Sequence, residues 1–472
     1  MCYNQEACEE REKNVSNYIG SKAFYGRVLK VMLPIVIQQG ITNFVGLLDN
    51  IMVGQVGTEQ MSGVAIANQL QFIFQLCIFG SLSGAGIFCA QYFGKGDQDK
   101  VRSVFRFKVL STTLITAVAI IVLWCLREPL IRLFLTDTGT GGDLEATLRY
   151  GVEYLGIMLL GVIPFAAVQL YASTMRETGE TAVPMKAGIA AVLINMVLNY
   201  ILIFGHFGAP KLGVTGAALA TTVSRFCELL TILVYARRRR DRFPYLTGAF
   251  RSLRVPLSLA KDITAKGTPL MVNELMWSLG TTLIVQCYST RGLSAVAAYN
   301  ISGTVTNFFS MAVFAMGSAI SILVGQELGA GNFEQARDTN RKMIAFGAGL
   351  CAVSALLLVA AAPLFPRIYN TTDDVRALAT ALLRLDAAFL IFRGLYNSCY
   401  FTLRSGGKTL ITFLFDSVSM WLINLPLALI LAYLTDIPLL GMFLIIQIAD
   451  GLKTIAGLML VRKGIWINNL TV

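Results

Sequence analysis

The chain has 472 residues, of which 55% are hydrophobic and 14% are charged, and its mean hydropathy is +0.64. Soluble domains carry about 25% charged residues, so this composition argues against a soluble protein and indicates a membrane protein. The net charge of +11 does not indicate nucleic-acid binding, because the basic residues lie in alternate loops between apolar runs rather than on one soluble face.

The predicted elements begin after a polar segment, residues 1–26, which we interpret as a cytoplasmic tail. The tail lacks the apolar core and the small-residue cleavage site of a signal peptide. A membrane-spanning helix needs about 20 apolar residues, and twelve stretches after the tail meet that requirement. The predicted helices are 27–52, 61–92, 103–126, 148–173, 182–204, 213–237, 262–290, 294–328, 338–361, 376–403, 409–433 and 438–461.

The Lys and Arg residues predict the orientation of these helices. With the tail inside, 28 of the 39 basic residues fall in segments on the tail's side, seven fall on the opposite side and four lie within helices. The cytoplasmic side of a membrane protein carries the excess of Lys and Arg. We therefore predict that both termini are cytoplasmic. The run RRRRDR at 237–242 is the strongest inside anchor, and binding of lipid head groups there is a weaker interpretation.

The first predicted helix contains an acid inside an apolar run. Asp49 lies in PIVIQQGITNFVGLLDNIMVGQVG at 34–57, where an ionised Asp costs roughly 2.5–3.5 kcal/mol on insertion scales. A proton, a cation or a partner must offset this cost, so we interpret Asp49 as functional. The alternative is an acid satisfied by a neighbouring helix or hydrated near the outer interface.

An internal repeat relates the two halves of the chain. A shift of 235 places Pro34 on Pro269 and Gln91 on Gln326, without a gap over about 70 residues. A shift of 228 places TMRETGET at 174–181 on TLRSGGKT at 402–409. Each half then holds six helices, and because six is even both halves enter the membrane from the same side. Parallel repeats of this kind are known among transporters.

The repeat predicts an all-α polytopic membrane protein with twelve transmembrane helices in two parallel six-helix repeats. The predicted parts are the tail at 1–26, an N-lobe of helices 1–6, a basic cytoplasmic linker, a C-lobe of helices 7–12 and a C-terminal tail. Their bounds after the tail are 27–236, 237–261, 262–461 and 462–472.

Several motifs of the chain resemble the multidrug and toxic compound extrusion (MATE) family of secondary transporters. They are P-x(14)-D-x(4)-G at 34–54, GQELGAG at 325–331 and the run NMVLNYILIFGHFGAPKLGVTGAALAT at 195–221. The resemblance covers nearly the whole chain. It implies two lobes that form a V, alternating access driven by inward Na⁺ or H⁺, and export of bulky organic cations, drugs or toxic metabolites.

The resemblance also implies a coupling site in the N-lobe. Asp49 matches the family's first-helix acid, which binds the coupling cation, and Asn195 matches its fifth-helix amide partner. The family often has an Asp at the position of Asn199, so the chain departs from the pattern there. Asn195 and Asn199 are four residues apart and share one helix face. The loss of the second acid favours H⁺ over tightly bound Na⁺.

In the C-lobe, four side chains are candidates for substrate binding. Glu274 resembles a seventh-helix acid found in some subgroups, and it falls on the neutral Gln39 under the 235 shift. Asp416 lies in the same inner half of the lobe, where Arg393 would neutralise one of the two acids. Trp277 could stack on a flat cation.

Other classes of protein fit less well. GGKT at 406–409 ends like a P-loop, but Thr402 stands where the first Gly is needed. An embedded enzyme would need His or Cys clusters, whereas the nine Cys are scattered and His206 is the only His. A flippase for lipid-linked saccharide precursors, from the same superfamily, is the main alternative, and a channel comes third.

The interpretation as an exporter carries further expectations. The protein is not an enzyme and needs no metal or cofactor, its coupling ion being H⁺ or Na⁺. Its partners are small organic cations and the lipid bilayer, not nucleic acid. We expect a monomer in the inner (plasma) membrane, crossing it many times.

Overall fold

The computed structural model describes residues 18–135, 143–369 and 371–471, and within these ranges the fold is built from helices. Twelve long helices follow one another in these described ranges, as the sequence predicted. We label them in chain order α1 Lys22–Gly54, α2 Thr58–Lys95, α3 Gln98–Cys125, α4 Leu144–Glu177, α5 Ala182–Phe204, α6 Val214–Arg238, α7 Leu257–Ser289, α8 Leu293–Gly329, α9 Phe333–Ala361, α10 Asp373–Ser405, α11 Thr409–Leu434 and α12 Leu439–Arg462. Short helical turns lie at Arg127–Arg132, His206–Gly208, Pro244–Leu246, Ala249–Arg251 and Phe365–Ile368.

The helices are long enough to cross a bilayer. Nine helices of the described chain, α2–α6, α8, α9, α11 and α12, combine spanning length with an apolar stretch. The other three, α1, α7 and α10, have 33 residues each, which is more than the about 20 that a span requires. Most helices extend a few residues beyond the predicted ends, because the polar residues that flank the apolar runs continue the helix.

The described chain divides into two compact units. The N-unit comprises Ile37–Cys89 and Gln98–Gly267, and the C-unit comprises the residues up to Val36, Ala90–Asp97 and those from Thr268 onwards. The divisions in α1 and α7 fall beside prolines inside those helices, Pro34 and Pro269, which the 235 shift relates. The ends of α1 and α2 that contain residues 22–36 and 90–95 thus group with the C-unit. The lobe boundaries from the sequence, 27–236 and 262–461, remain a prediction.

Each unit has its own apolar core. In the N-unit the core includes Phe74, Phe105, Leu155 and Ile203. The C-unit has separate clusters, one of which packs Val28 of α1 with residues of α8 and with Trp466 beyond α12. Burial of Trp466 shows that the predicted C-terminal tail at 462–472 packs against the helices in its described part.

Two glycines allow backbones to approach closely where the repeats meet in the C-unit. A Cβ on Gly94 of α2 would overlap the backbone carbonyl of Gln326 in α8, and a Cβ on Gly329 would overlap that of Gln91. The 235 shift exchanges these two contacts. The motif GQELGAG therefore serves close packing of two repeat-related helix ends.

The repeated motif T-x-R-x-x-G-x-T forms a helix–turn–helix corner in each half. Gly179 and Gly407 have φ values of 86° and 72°, in the left-handed region that glycine favours. Gly179 separates α4 from α5, and Gly407 separates α10 from α11. The similarity between 174–181 and 402–409 is thus explained by the turn.

The segment between α6 and α7 is folded onto the N-unit. Phe243, Tyr245 and Ala249 are buried, and Arg106 of α3 donates to the backbone carbonyls of Ala249 at 2.9 Å and Gly248 at 3.1 Å. The segment predicted as a linker, 237–261, is therefore packed against α3 between residues 244 and 250.

Helix α11 departs from regular α geometry. Its backbone is π-helical over Leu414–Val418 and Met420–Asn424, whereas α5, its counterpart in the repeat, is α-helical throughout. π-Helical turns are rare and occur frequently at functional sites. The first of these turns contains Asp416.

Candidate functional site

Asp49 lies five residues before the end of α1 and is held by α5. Nδ2 of Asn199 donates to Oδ1 of Asp49 at 2.6 Å. Asn199 and Asn195 are both buried and lie one turn apart on α5. The structure thus brings together the three residues predicted to form the coupling site, and a part-buried acid within an apolar helix has a partner.

The amide of Asn195 faces the same carboxylate and has two possible orientations. In one, its Oδ1 accepts from Nδ2 of Asn199 at 3.3 Å, and its Nδ2 donates to Oγ1 of Thr221 at 3.2 Å. In the other, its nitrogen lies 3.1 Å from both carboxylate oxygens of Asp49, and its oxygen accepts from N and Oγ1 of Thr221 at 3.3 and 3.2 Å. Asn195 therefore presents either a donor or an acceptor to Asp49.

One amide atom of the cluster lacks a partner. Oδ1 of Asn199 is buried and, among the described residues, accepts no hydrogen bond. A buried acceptor of this kind costs free energy unless something binds it. One carboxylate and two amide oxygens are donor atoms that suit a hard cation or a proton.

Other N-unit residues surround this cluster and were not predicted from the sequence. Tyr154 of α4 is within electrostatic reach of Asp49, and its hydroxyl donates to Oδ1 of Asn68 at 3.3 Å. Thr221 of α6 holds the Asn195 amide. Uncharged polar side chains in apolar helices give only a weak signal, which is why the sequence did not single them out.

In the C-unit, Asp416 is held by side chains of two other helices. Nδ2 of Asn273 in α7 donates to Oδ2 of Asp416 at 2.8 Å, and the hydroxyl of Tyr396 in α10 donates to Oδ1. Ser417 in turn donates to Oδ1 of Asn273 at 2.7 Å. These contacts fix the π-helical turn of α11 against α7.

Glu274 follows Asn273 directly and lies near the same cluster. It is within electrostatic reach of Arg404 and of Asp416, so the two predicted acids do share one region. Trp277, one turn further along α7, is 41% exposed and is free to contact lipid or a ligand. The assignment of these three residues to substrate binding remains a prediction.

Arg393 has a different partner from the predicted one. It forms an ion pair with Asp386 at 2.8 Å, not with Glu274 or Asp416. Asp386 also accepts from Thr306 of α8 at 2.8 Å and from Gln447 of α12 at 3.0 Å. Arg393 follows Asp386 by seven residues, which is about two turns of α10, so the two side chains lie on one face of that helix. Through Asp386, the ion pair joins α10 to α8 and α12.

Two ion pairs of the described chain join residues three apart in one helix. Arg225 and Glu228 are 2.8 Å apart in α6, and Lys453 and Asp450 are 2.7 Å apart in α12. Asp450 also accepts from Asn424 of α11 at 2.5 Å. These residues are satisfied by one another, which supports a structural role for them.

The repeat shows that neither polar cluster is needed for the fold of a six-helix half. By the shifts of 235 and 228, Asp49, Asn195, Asn199 and Thr221 correspond to Ile284, Ile423, Leu427 and Ala449. Conversely, Asp416 and Asn273 correspond to Gly188 and Gln38, which lie against each other in the N-unit. Each half thus packs apolar or neutral residues where the other carries its acid.

Comparison with protein families gives one match that covers most of the chain. The MatE family model matches residues 34–201 and 269–430, which are the two halves of the internal repeat. The chain is 27% identical over 417 residues to a probable multidrug resistance protein NorM of Thermotoga maritima, covering 88% of this chain and 87% of the relative.

Two further comparisons agree with this match. The multidrug resistance protein PmpM of Pseudomonas aeruginosa is 27% identical over 404 residues, covering 84% of this chain and 82% of the relative. The fold is similar to the crystal structure of a variant of the Vibrio cholerae MATE transporter VcmN, with a TM-score of 0.84 at 18% identity, covering 95% of this chain and 98% of that one. At this identity the structural similarity establishes the fold alone.

Proposed function

The chain belongs to the MatE family of multi-pass membrane transporters, and on this premise we propose that it is a secondary active antiporter. It exports organic cations, drugs or toxic metabolites by alternating access, driven by the inward movement of H⁺, or Na⁺, bound at Asp49. The names of its relatives, multidrug resistance proteins, support multidrug efflux as the activity. It crosses the plasma membrane with both termini in the cytoplasm.

The observation that carries the proposal is the cluster of Asp49, Asn195 and Asn199. Its counterparts in the other half are Ile284, Ile423 and Leu427, so the fold of a half does not require these polar groups. A part-buried acid that packing does not require fits a site that gains and loses a cation. It lies beside a buried oxygen, Oδ1 of Asn199, that accepts no hydrogen bond from the described residues.

The amide of Asn195 supplies the differential contact that coupling requires, because an amide offers a donor on its nitrogen and an acceptor on its oxygen. An ionised Asp49 is stabilised by donors, and the turned amide of Asn195 offers its nitrogen to both carboxylate oxygens. A protonated Asp49 is a donor itself, and the other orientation offers it Oδ1 of Asn195. An ion gradient shifts a conformational equilibrium only if the two states bind the ion differently. Movement of α5 relative to α1 would change these contacts.

The ion is H⁺ rather than Na⁺ in this proposal. The cluster provides one carboxylate, and its other oxygens are neutral amides, which compensate the charge of a metal ion less than a second carboxylate would. A single proton on Asp49 neutralises the charge fully. Na⁺ remains the second choice, since the carboxylate and both amide oxygens suit a hard cation.

Substrate binding is proposed for the C-unit, at Glu274, Asp416 and Trp277. The two acids supply negative charge near one another, and an indole face attracts organic cations. Arg393, predicted for the same role, is engaged by Asp386, so we assign it to helix packing instead.

The substitution Asp49→Asn tests the coupling role. We expect the purified variant, reconstituted into vesicles with an imposed proton gradient, to bind a cationic dye as the wild type does but not to accumulate it. If Asp49 only joins α1 to α5, the isosteric amide keeps most of the hydrogen bonding and accumulation stays near normal. That result would refute the coupling role.

A matched control is Asp450→Asn, the same change in another membrane helix. Asp450 pairs with Lys453 in our structure and has no role in the proposed coupling site. We expect this variant to retain concentrative efflux. Loss of efflux in both variants, with both proteins folded, would mean that any acid within the helices is needed.

A further inference from the structure

The segment that joins α6 to α7 combines exposed positive charge with exposed apolar side chains. Between positions 237 and 257 it contains seven arginines and a single acid, Asp241. Three of its apolar residues are exposed, Phe250 by 59%, Leu253 by 44% and Leu257 by 70%. The arginines are Arg237, Arg238, Arg239, Arg240, Arg242, Arg251 and Arg254, and all are exposed.

The exposure of these side chains is imposed by a fixed backbone. Phe243 and Tyr245 are each 1% exposed, and the ring of Phe105 in α3 packs against Tyr245 and, edge to face, against Phe250. Arg102 and Arg106 of α3 donate to backbone carbonyls of the segment. The buried residues therefore anchor the segment to α3, while Phe250, Leu253 and the arginines remain exposed.

The position of the segment places it at the membrane surface. Helix α6 ends at Arg238 and α7 begins at Leu257, so the chain leaves the bilayer and re-enters it within this stretch. It borders the leaflet on the side predicted to be cytoplasmic. At the depth where α6 leaves the bilayer and α7 enters it, the segment thus exposes apolar residues beside arginines. This composition is typical of segments that lie in the interface between lipid head groups and acyl chains.

We propose that residues 237–257 form a docking surface for anionic phospholipid of the leaflet that they border. The guanidinium groups of Arg237–Arg240 bind the phosphates of the head groups, for which the planar fork of arginine is suited. Phe250, Leu253 and Leu257 insert among the adjoining acyl chains. Arg242 contributes less, because it lies 3.5 Å from Glu180 of the turn between α4 and α5.

A purely topogenic role does not explain the same features. Positive charge alone is sufficient to retain a loop in the cytoplasm, and it requires neither a fixed backbone nor exposed apolar side chains. The structure has both: Arg106 holds the backbone at Gly248 and Ala249, and apolar side chains are exposed at Phe250, Leu253 and Leu257. Because the segment packs on α3, bound lipid would stabilise the N-unit itself.

Thermal unfolding of the full-length protein in detergent tests the proposal. We expect added phosphatidylglycerol to raise the Tm of the wild type by several degrees and phosphatidylcholine to raise it much less, since a ligand that binds the folded state stabilises it by mass action. Replacement of Arg237–Arg240 by Gln should remove most of the difference between the two lipids. Phe250→Ser with Leu253→Ser should reduce the effect of phosphatidylglycerol without abolishing it.

Two control variants separate lipid binding from general charge and folding effects. Replacement of the same four arginines by Lys should keep most of the response, and replacement of the exposed Arg132, Arg149, Lys211 and Arg367 by Gln should keep all of it. If the second set removes the response as well, net charge rather than this surface is responsible, and the proposal is wrong. It is also wrong if glycerol phosphate or a soluble acidic peptide stabilises the protein as phosphatidylglycerol does.

The lysine variant also covers the case in which the glutamine variant does not fold. If the lysine variant folds and keeps its preference for phosphatidylglycerol, positive charge at these four positions carries the binding, as proposed. If it folds and loses that preference, charge at these positions does not recognise anionic head groups and the proposal is wrong. The wild type is decisive on its own. If it shows no preference for phosphatidylglycerol over phosphatidylcholine, the surface does not select anionic lipid and the proposal fails.

Discussion

Nδ2 of Asn199 lies 2.6 Å from Oδ1 of Asp49, while the other amide atom of Asn199, its Oδ1, is buried and accepts no hydrogen bond from the part of the chain that the structure describes. Asn199 thus uses one half of its amide to bind the acid and leaves an oxygen available to a ligand. The proposed coupling site contains a single carboxylate, and the identity of residue 199 decides whether it contains a second one.

The substitution Asn199→Asp should shift the site towards Na⁺. Two carboxylates side by side repel each other, and a bound Na⁺ relieves that repulsion. We expect NaCl to raise the Tm of the purified variant relative to choline chloride and to have little effect on the wild type. Asn199→Leu, which installs the residue found at the repeat position Leu427, should abolish coupling and show no response to Na⁺. A wild type that responds to Na⁺ as strongly as the variant would make Na⁺ the natural coupling ion.

The sequence was sufficient to predict the helices because nine of those in the described chain contain a long apolar stretch, and the internal repeat relates the two halves helix by helix. It placed α5 at 182–204, where Thr181 precedes the helix and Gly205 ends it with a positive φ. It set the start of α7 at 262, five residues late, because Leu257–Lys261 are helical although they include the polar residues Ser258 and Lys261. The π-helical turns of α11 were not predicted, since side-chain hydrophobicity does not reveal which carbonyl a backbone N–H bonds.

The acids were predictable and most of their partners were not. An acid in an apolar run is conspicuous, so Asp49, Glu274 and Asp416 were identified from the sequence. Asn273 and Tyr396, which hold Asp416, resemble many other uncharged residues in the helices. Arg393 was assigned to the wrong acid for two reasons. Its partner Asp386 lies seven residues away, two helical turns rather than the one turn of an i,i+3 or i,i+4 pair. Contacts between different helices are not visible in a single sequence.

Gly94→Ala should destabilise the C-unit, because its Cβ would overlap the backbone of Gln326. Overpacking costs typically about 1–3 kcal/mol, and a backbone atom cannot move aside as a side chain can. We expect a lower Tm in detergent, with a similar loss for Gly329→Ala, its repeat counterpart. Gly303→Ala in α8 is the control: no atom lies within 4 Å of its added Cβ. Equal Tm values for Gly94→Ala and Gly303→Ala would contradict the close approach of the two helix ends.

The predicted orientation can be measured with an impermeant thiol reagent on intact cells. A cysteine in place of Arg240 should be protected until the cells are permeabilised, and a cysteine in place of Gly57 should react at once. Cys125, which is exposed at the end of α3, lies on the predicted outer side and should be replaced by Ser in the background protein. Labelling at position 240 in intact cells would reverse the orientation of all twelve helices and move the arginine surface outside.

Glu274→Gln should reduce the export of cationic compounds without unfolding the protein. Gln39 occupies the equivalent position in the other half, so the helix accommodates an amide there. We expect unchanged expression and helix content, and an apparent affinity for a cationic dye lowered by about tenfold or more, which corresponds to about 1.4 kcal/mol.

Asp416→Asn should act in the same direction, because Asp416 lies within electrostatic reach of Glu274. Glu334→Gln, at an exposed acid of α9, is the control and should export normally. Wild-type affinity for the dye in both Glu274→Gln and Asp416→Asn would exclude the C-unit acids from cation binding and leave Asp49 as the only acid with a proposed transport role.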